Sequence, residues 1–255
     1  MNRETRKKLN ELNRRFYALR SKEFSASRDH PWPGWEKLLC LLEIEKYAAP
    51  LRVLDVGCGN GRFLRFLMNS GVGSVHYIGL DQSPELLELA KLGTRVREGD
   101  RIEWTEGNLL EENSRLSLPS DSFDLIAVFG LLHHLPGREE RRALLEALQE
   151  RLRAGGVLAL TAWRFRDSTR FDRHVVSWEE YNLSATEKID LAELEAGDHL
   201  LSFGDKTLPP RYCHDCDMAE ISALERHPGL ECLSSFESDG RGGNLNRYML
   251  LRRIE

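Results

Sequence analysis

Gly57, Gly59 and Gly61 stand on alternate positions behind an apolar run that carries Asp55, and a helical pattern follows at Phe63, Leu64, Phe66 and Leu67. A strand, a glycine turn and a helix in that order make the first half of a nucleotide-binding βαβ unit. The turn needs glycine because a Cβ would strike a ligand lying across it, and the N–H groups of the following helix can face that ligand. A dinucleotide fingerprint would place glycine or alanine where Arg62 stands, and Arg62 is too large for that packing. Asp81 ends a second apolar run about 20 residues on, where a ribose-binding acid belongs. An ionised carboxylate can only accept, which suits two ribose hydroxyls. His133 and His134 follow the apolar run Phe123 to Phe129, at the strand end where ligands bind, and a histidine there could act as a base. Arg28, Arg164, Arg211 and Arg247 could hold a carboxylate acceptor by a bidentate grip. For Arg164 and Arg247 a surface salt bridge is the preferred reading. Cys213-His214-Asp215-Cys216 has metal-ligand spacing but no second pair, so no metal is assigned.

Elements that position these residues can be read in order. An amphipathic helix is expected over about Thr5 to Leu19, with Leu9, Leu12, Phe16 and Leu19 on one face and a crowd of Arg and Lys around them. Pro31-Trp32-Pro33-Gly34-Trp35 reads as an irregular loop that pins an aromatic pair, and Trp32 could wall a pocket. A helix over about Glu36 to Tyr47 leads into the first strand. Ser83 is the expected N-cap of the helix after the second strand. A third strand, Ile102 to Glu106, runs into Gly107-Asn108-Leu109. A helix over about Arg138 to Arg153 leads to a fifth strand, Val157 to Trp163. The polar stretch after Arg164 is long for a connection, and reads as an insertion over the active-site edge. A short helix and two strands joined by Asp239-Gly240-Arg241-Gly242-Gly243 close the chain, the last pair antiparallel.

The alternate glycines behind Asp55 resemble motif I of the class I S-adenosylmethionine-dependent methyltransferases. Phe24-Ser25-x-Ser27-Arg28-x-x-Pro31-Trp32-Pro33, together with His133-His134 and Arg211-Tyr212-Cys213-His214, is similar to the family that methylates the carboxymethyl group of tRNA wobble uridines. The last hairpin departs from that pattern, reading Gly243-Asn244-Leu245-Asn246 where an Asn followed by aromatics is expected. The resemblance implies an α/β fold: a doubly wound, mostly parallel seven-stranded sheet with an antiparallel last strand. It divides the chain into a helical extension with the Pro/Trp loop (1–48), a cofactor-binding core (49–165), the insertion (166–210), and a terminal helix and hairpin completing the sheet (211–255). It implies S-adenosylmethionine as cofactor, held by Trp32, Asp55, Gly57, Cys58, Gly59, Gly61, Asp81, Gln82, Asn108, Leu109 and Phe129. Asn108 stands where many relatives carry Asp, and its oxygen can accept the same adenine hydrogen bond. Arg28, His133 and Arg211 are the expected catalytic residues.

Composition narrows the setting. The 255 residues suffice for one α/β domain with an insertion, and 41% hydrophobic with 30% charged residues suits a globular protein with a proper core. No apolar run is long enough to span a bilayer, and no signal peptide is recognisable. Five dispersed cysteines read as reduced thiols of a cytoplasmic protein. Net charge is −5. If a tRNA is the partner, the basic first helix and Arg241, Arg247, Arg252 and Arg253 would have to form a positive strip on the cofactor side. A small-molecule acceptor under the insertion is the alternative, and a non-catalytic partner subunit the third. A small helper subunit is compatible with each.

Overall fold

The computed structural model describes the chain except residues 27–29, 44–46, 48, 110–117, 120–121, 205–208 and 255, and the side chains of 22 and 24. Arg28 therefore lies outside the described residues.

Seven strands form the main sheet: β1 (Leu51–Val56), β2 (Val75–Asp81), β3 (Arg101–Glu106), β4 (Phe123–Val128), β5 (Leu152–Trp163), β9 (Leu230–Ser238) and β10 (Asn246–Arg253). Their order is β3-β2-β1-β4-β5-β10-β9. β1 to β5 pair in parallel, whereas β10 runs antiparallel to both β5 and β9. The order reverses at β1, which pairs β2 on one side and β4 on the other. A crevice opens beyond the carboxyl ends of two strands that diverge in this way, and a ligand can settle there.

Side-chain alternation splits the core into two faces. Leu54, Val56, Ile126 and Val128 pack with Leu144, Leu145 and Leu148 of α5 (Arg138–Gln149) and with Ile221 and Leu224 of α7 (Met218–Glu225). Val53, Leu125 and Ala127 face the other way, against Leu38 and Leu42 of α2 (Pro33–Leu42) and Phe63, Leu64 and Leu67 of α3 (Arg62–Asn69). The helix over Pro33–Leu42 corrects the reading of the second proline as part of an irregular loop. Pro33 begins the helix, where its missing N–H costs nothing, and Trp32 is the N-cap. Ser83 caps α4 (Pro84–Gly93) as expected, its hydroxyl accepting from Leu86 N at 3.3 Å.

A second sheet was not foreseen. β6 (Val175–Val176), β7 (Asp198–Leu201) and β8 (Arg211–His214) pair antiparallel in that order, so the expected boundary between 210 and 211 falls inside this sheet. Leu200 and Tyr212 pack on Leu9 and Leu12 of α1 (Arg3–Ala26), while Leu201 and Cys213 pack on Trp163 and Phe165 at the end of β5. The small sheet thus wedges the first helix against the carboxyl edge of the main sheet. α6 (Trp178–Ser184) lies between β6 and β7.

Candidate active site

Beyond the ends of β1, β2 and β4 lies a cavity of about 560 Å³. One wall is the glycine turn. Gly57, Gly59 and Gly61 all take positive φ, at 78°, 55° and 73°, yet they serve different ends. A Cβ on Gly61 would come within 2.7 Å of the Trp104 ring and 3.1 Å of Ala90 Cβ, so this glycine lets the turn pack against β3 and α4. A Cβ on Gly59 would meet no protein atom within 4 Å, and would project into open space on the lining of the cavity.

Two carboxylates stand behind the turn, Asp55 buried and Asp81 half-buried. Asp81 accepts from Gly59 N at 2.8 Å through Oδ2 and from Ser83 N at 2.9 Å through Oδ1. Burial pushes its carboxyl upward against those N–H groups. Each oxygen keeps a further lone-pair site for a hydroxyl donor. Asp55 is more deeply enclosed and accepts from the Tyr77 hydroxyl at 2.6 Å. Burial raises it to about 7 in spite of that bond. Asp55 thus holds β1 to β2 from inside. Cys58 is packed in the same place, its thiol pushed well up by burial and by the neighbouring carboxylates, which leaves no nucleophile there.

Gln82, Asn108, Leu109, Phe129 and Trp32 line the same cavity. The buried Gln82 Oε1 has no hydrogen-bond partner among the described residues, as an acceptor awaiting a ligand donor would. Asn108 Oδ1 instead accepts from Asn10 Nδ2 of α1, at 3.3 Å. Trp32 stacks on Trp35, with centroids 5.3 Å apart, and lies against Gly130. The Pro/Trp segment is held by Asp239, which accepts from Gly34 N, Asn246 Nδ2 and Tyr248 Oη at 3.0, 2.7 and 2.7 Å. An open glycine cradle, an acid with spare lone pairs and an orphaned amide oxygen fit a ligand with ribose and polar nitrogen groups.

The remaining walls come from α1, the ends of β4 and β5, and the small sheet. His133 is buried against the Trp163 and His134 rings, at 4.8 and 4.0 Å. His134 Nε2 meets the Tyr17 hydroxyl at 2.7 Å, and its Nδ1 lies 3.0 Å from the Tyr212 carbonyl. Nδ1 also lies 3.2 Å from Asn13 Nδ2, whose Oδ1 accepts from Tyr212 N at 2.8 Å. His134 is therefore a tie between α1 and β8. Arg211 is 4% exposed, its guanidinium 5.3 Å from the centroids of both Phe16 and Trp163. The structure brings Arg211, His133 and the whole expected cofactor set except Gly61 to the lining of one cavity. Gly61 stands just behind it. Tyr17, Asp239, Asn246, Arg170 and Arg173 also reach the lining and were not singled out as site residues.

Cys213 and Cys216 do not converge. Cys213 lies beside His133 and His134, and Cys216 beside His214 and Glu220. His214 belongs to a buried polar network. Its Nδ1 meets Asp198 at 2.7 Å and its Nε2 meets Glu220 at 2.9 Å, while Arg141 binds Glu220 at 2.5 Å and Glu195 at 2.6 Å. Arg164 pairs with Asp167, and Arg247 with Glu225, as surface bridges.

The condition set for a positive strip is not met as framed. β10 runs away from the cavity from Asn246, which pairs Trp163, to Arg252, which pairs Val157. Arg252 and Arg253 thus sit at the far end of the sheet, Arg252 paired with Glu231. On α1, Glu11 takes both Arg14 and Arg15, and Glu4 takes Lys8. The helix periodicity brings these charges together and spends much of its positive face internally.

The strand order and the glycine turn with its two acids have the fold of the class I S-adenosylmethionine-dependent methyltransferases, and residues 54–158 match the family model described as a methyltransferase domain. Three curated relatives share sequence with this part of the chain. A putative methyltransferase of Encephalitozoon cuniculi is 32% identical over 58% of this chain and 60% of its own length. The tRNA (carboxymethyluridine(34)-5-O)-methyltransferase of Schizosaccharomyces pombe is 30% identical, over 60% and 58%. The malonyl-[acyl-carrier protein] O-methyltransferase of a Paenibacillus species is 31% identical, over 51% and 45%. The chain thus matches roughly half the length of these relatives. Among solved structures, the Bradyrhizobium japonicum N-methyltransferase NodS with S-adenosyl-L-homocysteine superposes with a TM-score of 0.56 at 17% identity, covering 89% of this chain and 90% of that one. A putative methyltransferase of Haloferax volcanii in complex with the Trm112 activator gives 0.58 at 17%, covering 96% and 98%. These likenesses establish the fold. Among the described residues no helix is long and apolar enough to cross a membrane.

Proposed function

We propose that this chain methylates a carboxylate, and that the carboxylate is the carboxymethyl group of a tRNA wobble uridine. Arg211 carries the reading: a guanidinium held between two aromatic rings on the wall of the cavity that also holds the glycine turn. The names of the fission-yeast and Paenibacillus relatives, a carboxymethyluridine and a malonyl O-methyltransferase, have a carboxyl-bearing acceptor in common.

Bound S-adenosylmethionine supplies an electrophilic methyl group on a sulfonium centre. Gly59 would give it room, Asp81 would accept from its ribose hydroxyls, and Gly57, Gln82, Leu109, Phe129 and Trp32 would enclose the remainder. A carboxylate acceptor is ionised at neutral pH and surrenders no proton, so the work of the chain is positioning. Arg211 holds the carboxylate in a planar fork, and the stacked rings keep the fork from rotating. Arg28, the first-ranked clasp on its sequence motif, with Arg211 second, lies outside the described residues. His133 has no proton to remove from such an acceptor; its ring packs against Trp163 and shapes the wall.

The reading is tested by incubating the chain with methyl-labelled S-adenosylmethionine and separate pools of tRNA and small carboxylic acids, with and without an activator subunit of the kind bound to the Haloferax neighbour. Label in the tRNA supports it. A small-molecule acceptor is the second reading, favoured by the enclosure of the cavity under the small sheet and by the paired charges of α1. Label in a small acid alone replaces the first reading with the second.

A further inference from the structure

Between β5 and β6 the chain makes a short 3-10 helix, Thr169–His174, and its cations are divided between two uses. Arg164 is tied to Asp167 and Arg166 to Asp172, which consumes the acids of this segment. Arg170 and Arg173 are exposed, lie on the lining of the main cavity, and pair with no carboxylate among the described residues. Arg170 lies over the Phe171 ring at 5.2 Å, and Phe171 packs edge-on against Trp163 at 5.2 Å. Trp163 is the ring that flanks Arg211. Two arginines thus stand at the ends of one aromatic path, Arg211 buried and Arg170 at the solvent edge, and Arg173 lies at that edge too, its Nε 3.2 Å from His174 Nε2. On the glycine-turn side the same cavity is lined by Asp55 and Asp81.

A small monocarboxylic acid needs one cation, and Arg211 supplies it. Two further cations, farther out and paired with no carboxylate among the described residues, suit a ligand whose further negative charges lie outside the reacting group, with flat apolar surface between them. A nucleotide within a strand has that form: a carboxylate on the base, a ring that stacks, and phosphodiesters on either side. Building on the proposed function, we infer that Arg170 and Arg173 form a phosphate-binding rim that grips the RNA backbone next to the acceptor nucleotide. The RNA is thereby held by the insertion, not by a basic strip between the two ends of the chain.

The test compares an anticodon stem-loop carrying 5-carboxymethyluridine with the free 5-carboxymethyluridine nucleoside, in the wild-type chain and in Arg170→Ala/Arg173→Ala. In the wild type the stem-loop has the lower KM at low salt. In the double variant that advantage shrinks about tenfold, and the log–log salt dependence of RNA binding flattens by about 1.4, as loss of two single-strand phosphate contacts requires. Arg170→Lys/Arg173→Lys restores most of the slope, because Lys keeps the point charge. Both residues are exposed, so the fold is expected to survive, and S-adenosylhomocysteine affinity checks that. Methylation of the stem-loop with an unaltered KM ratio and slope in the alanine variant overturns the rim and leaves the proposed function standing. Methylation of a malonyl carrier protein with neither uridine substrate turned over overturns both.

Discussion

Gly59 N donates to Asp81 Oδ2 at 2.8 Å, so the tip of the glycine turn is fastened to the end of the neighbouring strand. Two features read separately in the sequence are one object. The carboxylate that orders the turn is also the group that offers lone pairs to the cavity. Losing Asp81 therefore loosens the cradle as well as removing an acceptor.

Two substitutions in the same turn should separate space for a ligand from space for packing. Gly59→Val places its side chain in the open cavity, so calorimetry should show S-adenosylmethionine affinity reduced beyond detection in a folded protein. Left-handed backbone at φ 55° adds a stability cost of about 1–2 kcal/mol. Gly61→Ala should act mainly on stability, since its Cβ meets the Trp104 ring. Equal affinity of Gly59→Val and wild type would remove the turn from the cofactor site.

Asp55 makes the apo protein sensitive to pH. Its folded pKa, about 7, lies above the ordinary carboxyl value of 3.8, so the folded state holds a proton that the unfolded chain releases. Stability is then highest below about pH 4 as far as this group is concerned, and declines as pH rises to about 7, by up to about 4 kcal/mol. Asp55→Asn keeps an oxygen for the Tyr77 hydroxyl and carries no charge. Urea titrations from pH 4 to 8 should show a flatter profile for the variant; parallel profiles would contradict the assignment.

The network around His214 acts with the opposite sign at low pH. Burial disfavours the Glu220 charge, but the His214 and Arg141 contacts outweigh it and hold the carboxyl at about 2. Its stabilisation is present above the ordinary value of 4.5 and is lost as pH falls towards 2. For His214, burial opposes the charge while Asp198 and Glu220 outweigh it and raise the pKa, so its share is lost as pH rises through that raised value. Glu220→Gln should cost about 3–5 kcal/mol, since Arg141 is 0% exposed and would lose a buried partner. A cost under about 1 kcal/mol in denaturant melts would mean that the small sheet is anchored elsewhere.

Much of the main sheet was legible because β1 and β4 are mostly apolar, broken only by Arg52, Asp55 and Asp124, and Gly57, Gly59 and Gly61 interrupt the pattern where a turn must be. The small sheet was not. β6 has two residues, β7 and β8 four each, and they carry Asp198, His199, Arg211 and His214, which hydropathy assigns to solvent. Asp198 and His214 are buried because they pair with each other, and Arg211 because it lies between Phe16 and Trp163, outcomes of tertiary packing that periodicity cannot show. Trp32 and Pro33 were read as loop because proline breaks helices, whereas the first helical position tolerates it. Whether Arg252 and Arg253 share the cofactor side with Arg247 could not be read from the sequence; a strand of eight residues carries them about 20 Å away from Asn246.

Arg211 should control acceptor binding. Arg211→Lys keeps the charge and loses the planar fork, so kcat/KM for a carboxylate acceptor should fall about 10- to 100-fold. Turnover in the wild type should stay nearly flat from about pH 6 to 9, because the acceptor is ionised throughout. A rate that climbs tenfold per pH unit and is abolished in His133→Ala would instead make His133 a general base.

The chemical form of the product tests the central claim most directly. After reaction of labelled S-adenosylmethionine with tRNA bearing carboxymethyluridine, the RNA is isolated and treated with mild alkali. A methyl ester hydrolyses, so the account predicts that the label leaves the tRNA as volatile methanol. Label that stays on the RNA through alkali would place the methyl group on nitrogen, carbon or a ribose oxygen, and would contradict a carboxylate acceptor held by Arg211.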